Sequence, residues 1–262
     1  MRLWNGWGNE DSDLTMELSD GLRALLEALV GPGTALSQAT LNEVIDKVAN
    51  TRLDDHPLIK TDPETRVRHA RGQSLPDWLE MHSGNVDTFP DGVAFPESSD
   101  QVRDLLVHAK ENNLIVIPYG GGTSVVGHIN PETSDKPVLT IDMGKMNSLL
   151  SIDTESQLAT FGAGTPGPVV EEELKKRGYT LGHFPQSWEL STLGGWVASR
   201  SSGQQSLHYG RIENMFAGGT VETLNGTMTI PTIPASSAGP DVREMILGSE
   251  GRIGIITEVT VR

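Results

Sequence analysis

Three consecutive glycines follow a short apolar run near the middle of the chain. Residues 114–117 predict a buried strand, and directly after it come Pro118, Tyr119, Gly120, Gly121, Gly122, Thr123 and Ser124. Glycine has no Cβ, so it adopts positive φ at little cost and lets the backbone approach a ligand. Exposed N–H groups in such a loop form a nest for anions. The loop therefore predicts either a phosphate site or a tight turn without a ligand, and the motif alone favours neither.

Two familiar phosphate-binding loops are excluded by spacing. Gly122 and Gly127 have the separation of the Walker A motif, but His128 stands where that motif requires lysine. Val125 stands where the dinucleotide fingerprint, counted from Gly120 and Gly122, requires a third glycine. A phosphate bound here would need a different set of donors.

The overall charge excludes several classes of function. The chain has 20 Lys and Arg residues against 35 Asp and Glu residues, a formal net charge of -15. Nucleic acids and anionic membranes bind basic surfaces, so neither is expected as a main partner. Cysteine is absent, which excludes disulfides and thiolate metal sites. In such an acidic protein, a phosphate binds only where local backbone dipoles overcome the negative field.

The element pattern divides the chain into an N-terminal helical arm, residues 1–85, and an α+β domain, residues 86–262. In the arm, Leu22, Leu25, Leu26 and Leu29 share one helix face, and residues 40–43 form a capping box. Residues 54–71 lack a pattern and predict a loop or a wrapped arm. Tryptophans 4 and 7 are expected to anchor the arm to the core.

In the second part, strands alternate with helices and hairpins. Strands at 93–95 and 114–117 with a helix between them predict a right-handed βαβ unit, and 138–142 adds a third strand. Residues 151–153 and 158–161 predict one hairpin, and Asn225-Gly226 predicts another. Helices are expected at 169–177 and 196–200, and a final strand at 253–261. Mixed parallel and hairpin-connected strands indicate the α+β class.

Other polar segments raise the probability of a ligand site. One precedes the helix at 196–200, one ends that helix and one is a third glycine loop: Gln186, Ser187, Trp188, Glu189, Leu190, Ser191, Thr192; Ser199, Arg200, Ser201, Ser202; Gly248, Ser249, Glu250, Gly251, Arg252, Ile253, Gly254. Free N–H groups at the helix start would favour an anion, although ordinary capping by Ser191 and Thr192 is the commoner use. Several such loops separated by strands suggest the walls of one extended site.

These four segments together resemble the FAD-contacting segments of the vanillyl-alcohol-oxidase (PCMH-type) flavoprotein superfamily. Within it, the chain is most similar to the alkyldihydroxyacetonephosphate (alkylglycerone-phosphate) synthase family, also through residues 4–8, 191–197 and 239–241. The resemblance implies two FAD-binding subdomains, a small parallel sheet with helices and a larger antiparallel sheet. It places the pyrophosphate on residues 120–124 and the rest of FAD on the other segments.

The resemblance also implies an activity. Such synthases exchange the acyl chain of acyl-dihydroxyacetone phosphate for a fatty alcohol in ether lipid synthesis, with the flavin as an electrophile and no net electron transfer. The expected FAD is noncovalent, because no histidine adjoins the glycine loop at the place used for covalent attachment. The catalytic residues belong to a C-terminal substrate domain that this chain lacks, so the fragment alone is expected to be inactive.

Two alternatives stay open: a flavin-dependent oxidase or dehydrogenase of a hydroxy acid or alcohol on the same fold, and a glycine-rich binding module without flavin. We expect a small lipid-type substrate, no nucleic acid, no transmembrane segment and at most peripheral membrane contact. A homodimer and a cytoplasmic location are further expectations, although eukaryotic relatives are peroxisomal.

Some remaining polar residues have both an ordinary and a functional interpretation. His183 is expected to satisfy a local backbone bond rather than to approach the flavin. Glu189 and Glu250 are expected in surface ion pairs. Arg66, Arg68 and Arg71 predict a solvated face or a subunit contact. The seven histidines show no metal-ligand spacing, so no metal is expected.

Overall fold

The computed structural model describes residues 2–11, 18–234 and 237–262. The strands of these residues form a four-stranded sheet and a five-stranded sheet, and helices pack against them. This is the α+β architecture that the sequence predicts, with a small, mainly parallel sheet and a larger antiparallel one.

The N-terminal arm is helical, as predicted, and its helices are α1 Asp20–Val30, α2 Leu41–Ile45, α3 Pro63–Arg68 and α4 Leu75–Ser83. Both halves of the predicted capping box of α2 are present between Thr40 and Glu43. Helix α1 begins at a Ser19 cap, but none of its residues is buried. Its leucine stripe, recognised from the sequence, therefore does not pack into a core.

Residues 54–71 are not a loop, because they contain strand β1 Ile59–Lys60 and helix α3. The carboxylate of Asp62 caps α3 by accepting from the Thr65 N–H at 2.9 Å, and Pro63 lies in the first turn. The buried residues of α3 are Arg66 and Val67. The helix therefore lacks the apolar stripe by which a helix is recognised in a sequence.

Two arginines of this region are buried rather than solvated. Arg66 donates from Nε to the carbonyl of Pro90 at 2.6 Å and from Nη1 to that of Ala49 at 2.7 Å. Arg71 donates from Nε to the Glu80 carboxylate at 2.6 Å. Their partners are distant along the chain, so sequence spacing alone could not reveal them.

The small sheet has the strand order β1-β2-β4-β3, with β2 Gly92–Ala94, β3 Ile115–Tyr119 and β4 Val138–Asp142. Strands β2, β4 and β3 are parallel, and β1 pairs antiparallel with β2. The expected βαβ unit is present, with α5 Ser99–Glu111 as its crossover. However, β4 lies between β2 and β3, so the two strands of the unit are not neighbours. The boundary at residues 85/86 stays a prediction.

The large sheet is entirely antiparallel, in the order β5-β6-β9-β7-β8. Its strands are β5 Leu149–Asp153, β6 Leu158–Gly162, β7 Phe216–Thr223, β8 Gly226–Ile230 and β9 Ile255–Val261. Both predicted hairpins, β5-β6 and β7-β8, are confirmed. The final strand begins at Ile255, two residues later than predicted.

The helices around the large sheet are α6 Gly167–Lys175, α7 Leu193–Ser199, α8 Ser206–Tyr209, α9 Ile212–Met215 and α10 Val242–Ile246. Helix α6 agrees with its prediction, with Pro168 in its first turn and Gly178 beyond its end at φ +81°. Helix α7 begins three residues earlier than expected. The hydroxyl of Thr192 accepts from the Gly195 N–H at 3.3 Å, so the helix starts immediately after Thr192.

The start of β9 joins the two halves of the molecule. Neighbouring residues of a strand point to opposite faces, and here Ile255 packs in the core of the small sheet while Ile256 packs in the core of the large sheet. Helix α5 completes the junction, because Arg103 pairs with the fully buried Glu222 of β7 at 3.0 Å. The surface between the two sheets is therefore fixed by both apolar and ionic contacts.

Across residues 2–11, 18–234 and 237–262, every helix is too short or too polar to pass through a lipid bilayer. Within the same ranges, no three His, Asp or Glu side chains are grouped as metal ligands would be.

Candidate functional site

The glycine loop follows β3 and carries a row of unused backbone donors. In the part of the chain that the structure describes, the N–H groups of residues 121–125 have no hydrogen-bond partner. Gly122 is buried and has φ +67°. Buried N–H groups almost always have a partner, and successive free ones in a loop form an anion nest. The loop therefore offers donors to a ligand.

The missing Cβ atoms of this loop face protein rather than a ligand. A Cβ on Gly120 would lie 2.6 Å from the Thr192 hydroxyl oxygen, and one on Gly121 would lie 2.1 Å from the Leu190 carbonyl oxygen. A Cβ on Gly122 would lie 2.0 Å from the Tyr119 hydroxyl oxygen. The glycines therefore let the loop pack tightly on the segment before α7. The sequence argument that they leave room for a ligand named the wrong neighbour.

The start of α7 does not offer the free N–H groups that the sequence suggests. Leu193 donates to the Thr165 carbonyl at 2.9 Å, and Gly194 donates to the Ala163 carbonyl at 2.8 Å. Since Gly195 is capped by the Thr192 hydroxyl, the first three N–H groups of the helix are all used. The commoner interpretation, ordinary capping, is the correct one.

Ser191 also has its hydroxyl engaged within the protein. It donates to the Ser187 carbonyl at 2.8 Å and accepts from the indole N–H of Trp196 at 2.7 Å. These bonds fix the segment against which the glycine loop packs.

A cavity of about 330 Å³ lies between the glycine loop, α7 and the loop before β9. Of the residues proposed from sequence, it is lined by Pro118, Tyr119, Gly120, Gly121, Gly122, Thr123, Ser124, Ser187, Ser191, Thr192, Ser199, Ser201, Glu250, Gly251 and Gly254. The tertiary structure thus brings segments from all four predicted stretches to one cavity.

Sequence reasoning missed part of this wall. The additional lining residues are Val125, Val126, His128, Ile129, Met143, Ala163, Gly194, Gly195, Trp196, Ala198, Ile255 and Ile256. Most are apolar and belong to strand ends or helix faces, so they carry no polar signal that a motif search would find. They form the surface on which a flat ring would pack.

The other proposed residues lie outside the cavity wall: Gln186, Trp188, Glu189, Leu190, Arg200, Ser202, Gly248, Ser249, Arg252 and Ile253. Arg200 shows why. Its guanidinium pairs with the Glu213 carboxylate at 2.6 Å and with that of Glu244. The fixed cation that the sequence suggests for the site is therefore neutralised elsewhere.

The electrostatics of the wall depend on the backbone. Its described lining contains no Lys or Arg; the charged residue is Glu250, 3.6 Å from Nδ1 of His128. Burial lowers the pKa of His128, against the opposing effect of Glu250. A neutral imidazole adds no fixed positive charge. An anion in this cavity would therefore be held mainly by backbone dipoles.

His183 contacts the cavity wall through a side chain rather than a local backbone group. It is 1% exposed, and its Nε2 lies 2.7 Å from the hydroxyl oxygen of Ser201. Its Nδ1 is buried without a partner, and the ring packs edge-on against Trp196. Burial lowers the pKa of His183 to about 4. The imidazole is therefore neutral at neutral pH.

Comparison with known proteins is consistent with this geometry. The family described as "FAD binding domain" matches residues 90–230. An alkyldihydroxyacetonephosphate synthase from Dictyostelium discoideum is 40% identical over 204 residues, which cover 78% of this chain and 33% of that protein. An uncharacterized FAD-linked oxidoreductase, YgcU, from Escherichia coli (strain K12) is 34% identical over 231 residues, 87% of this chain and 46% of its own.

The fold comparison agrees with the sequence comparison. A solved structure of an alkyldihydroxyacetonephosphate synthase superposes with a TM-score of 0.83 at 32% identity, covering 99% of this chain and 54% of that one. The chain thus spans between a third and about half of the length of these relatives.

Proposed function

Because this chain belongs to the FAD-binding-domain family of flavoproteins, we propose that it is the cofactor-binding part of an alkyldihydroxyacetonephosphate synthase and that its cavity holds noncovalent FAD. One observation carries the proposal. Free N–H groups of residues 121–125 line a cavity that has no Lys or Arg in its described wall. Such a nest suits a diphosphate in an otherwise acidic protein.

The residues of the cavity fit the two parts of the cofactor. The loop backbone would hold the diphosphate. The apolar side chains of Met143, Ile255 and Ile256 would pack on a ring of the cofactor. When bound, FAD supplies an electrophilic isoalloxazine ring. The residues of this chain bind and orient it, and the wall of Val125, Val126 and Ile129 limits water at the site.

The first test uses the purified chain. We expect a yellow protein that binds added FAD in a titration of flavin fluorescence. Acid precipitation should release the flavin into the supernatant. Retention of flavin on the precipitate would contradict noncovalent binding, and His128→Ala would then test the histidine in the wall. A colourless chain that does not bind FAD would favour a binding module without flavin.

The identity of the reaction is tested with the full-length protein. The synthase function predicts exchange of the acyl chain of acyl-dihydroxyacetone phosphate for a fatty alcohol. The similarity to an FAD-linked oxidoreductase favours the second candidate, oxidation of a hydroxy acid or alcohol. Bleaching of the flavin by 2-hydroxy acids, without acyl exchange, would support that candidate and contradict the first. Catalytic residues are expected in a substrate domain of the full-length protein.

A lipid-type substrate also bears on partners. We propose that α1 makes peripheral contact with zwitterionic lipid, because Leu25, Leu29 and Val30 are 53%, 71% and 82% exposed on it. Co-sedimentation with phosphatidylcholine vesicles should decrease in Leu29→Lys. A homodimer and a cytoplasmic location stay predictions from the sequence, and analytical ultracentrifugation would test the first.

A further inference from the structure

Arg2 joins two segments of the candidate site that are far apart in sequence. Its Nη1 donates to the carbonyl of Gly121 at 2.5 Å, and its Nη2 donates to the carbonyl of Leu190 at 2.6 Å. These are the same two residues between which a Cβ would not fit. One guanidinium therefore clamps the glycine loop to the segment that precedes α7.

The clamp approaches from behind the loop. Arg2 is absent from the wall of the cofactor cavity and lines a second cavity, of about 420 Å³, together with Trp4 and His69. The glycine loop is the partition between the two cavities. The positive charge of Arg2 thus lies close to the nest without occupying the space of the ligand.

Arg2 is itself held in position by the arm. It forms a β-bridge with Asn9, and the Leu3 N–H donates to the Gly8 carbonyl at 3.0 Å. The carbonyl of Arg2 accepts from Arg68 at 2.9 Å. Trp4 packs against the core of the arm, as expected from the sequence. These contacts restrict the guanidinium before it meets the loop.

The orientation of one peptide unit gives the clamp a role. In a planar trans peptide, the C=O and the following N–H point in opposite directions. With the Gly121 carbonyl directed at Arg2, the N–H of Gly122 is directed away from Arg2, toward the cofactor side. Without the clamp, a glycine peptide could rotate at little cost. Rotation would turn a carbonyl oxygen toward an anion.

We propose that Arg2 is a positioning residue for the diphosphate nest: it fixes the peptide between Gly121 and Gly122 so that N–H donors face the cofactor. This inference rests on the proposed FAD site. It assigns to the N-terminal arm a direct part in cofactor binding, although the arm lies outside the segments that the sequence indicates.

The test compares ligands with and without a diphosphate. We expect Arg2→Met to weaken binding of FAD and of ADP about tenfold, the size expected for a lost hydrogen bond from a charged group. Binding of adenosine, which has no phosphate, should not change. Arg2→Lys keeps the charge and can reach one carbonyl, so it should recover part of the affinity. Dissociation constants come from calorimetry and flavin fluorescence.

The matched control is Arg23→Met, which removes the same charge from the exposed helix α1. It should leave all three affinities unchanged. Circular dichroism establishes that each variant is folded. Equal ADP affinity of Arg2→Met and Arg23→Met would overturn the proposal, and so would an equal loss for ADP and adenosine. Failure of the wild-type chain to bind FAD would instead contradict the proposed function.

Discussion

The arm and the glycine loop both bury polar groups, but they differ in whether those groups have partners. Near the arm, Asp91 is 3% exposed and accepts from Arg52 and from the Val138 N–H. In the glycine loop, the N–H groups of residues 121–125 have no partner among the described residues. Satisfied buried groups stabilise a fold, whereas unsatisfied ones indicate a ligand. The first region should respond to mutation in stability, the second in binding.

The charge state of Asp91 shows how complete its satisfaction is. Burial alone would raise the pKa of this carboxyl, but hydrogen bonds from Arg52 and from the Val138 N–H outweigh burial and lower the pKa. Asp91 therefore stays ionised and links the arm to the start of β4.

The largest effect is expected from breaking this buried network. Asp91→Ala leaves the Val138 N–H and part of the Arg52 guanidinium unpaired, so the free energy of unfolding should fall by about 3 kcal/mol. FAD affinity of the folded protein should stay unchanged. Urea denaturation and a flavin titration measure the two quantities. A variant that keeps its stability but loses FAD would reverse the assignment of the two regions.

His183 lies between the two cases, since one ring nitrogen is paired and the other is not. Its pKa is lowered by burial to about 4 in the folded chain, against roughly 6.5 in an unfolded one. The unfolded chain therefore takes up the proton first as pH falls. Stability from this group is complete above pH 6.5 and is lost between there and pH 4. The loss between pH 7 and pH 5 should be about 2 kcal/mol.

Urea denaturation at a series of pH values measures this loss. His183→Gln should show a flatter profile over the same interval, because glutamine does not titrate. The exposed His82 provides the control, and His82→Gln should keep the wild-type profile. Equal profiles for wild type and His183→Gln would show that His183 is not buried in its neutral form.

The smallest change tests the packing of the glycine loop. In Gly121→Ala, the Cβ would meet the Leu190 carbonyl oxygen at 2.1 Å. The loop must then move away from that segment, and overpacking of this kind costs about 1–3 kcal/mol. Because the loop carries the nest, FAD affinity should fall about tenfold. Flavin fluorescence measures the affinity.

Gly21→Ala is the control, since nothing lies within 4 Å of its added Cβ in α1. It should leave FAD binding unchanged and slightly stabilise the helix. Unchanged FAD affinity in Gly121→Ala would mean that contact between the loop and residues 190–191 does not shape the nest.

Local signals in the sequence were reliable wherever the structure depends on neighbouring residues. The capping box at Thr40 and Glu43, the turn at Asn225-Gly226 and the end of α6 before Gly178 all form as predicted. Each depends on hydrogen bonds or dihedral angles within a few residues. The order of the four polar segments likewise pointed to the FAD-binding family.

Contacts between distant residues set the limits of prediction. The helix α3 was missed because its buried residues include Arg66, whose partners Pro90 and Ala49 lie outside it. The start of α7 was read as an anion site, but carbonyls of Thr165 and Ala163 take its donors. Arg200 was expected in the site and instead pairs with Glu213 and Glu244.

The sequence by itself determined the α+β class, the glycine nest and the need for backbone donors, because propensities, glycine spacing and net charge are properties of the chain. Only the tertiary structure decided which donors stay free, which carbonyls occupy the rest and that Arg2 lies behind the loop. A hydrogen bond depends on distances of a few ångströms between atoms. For residues far apart in sequence, those distances are set by packing.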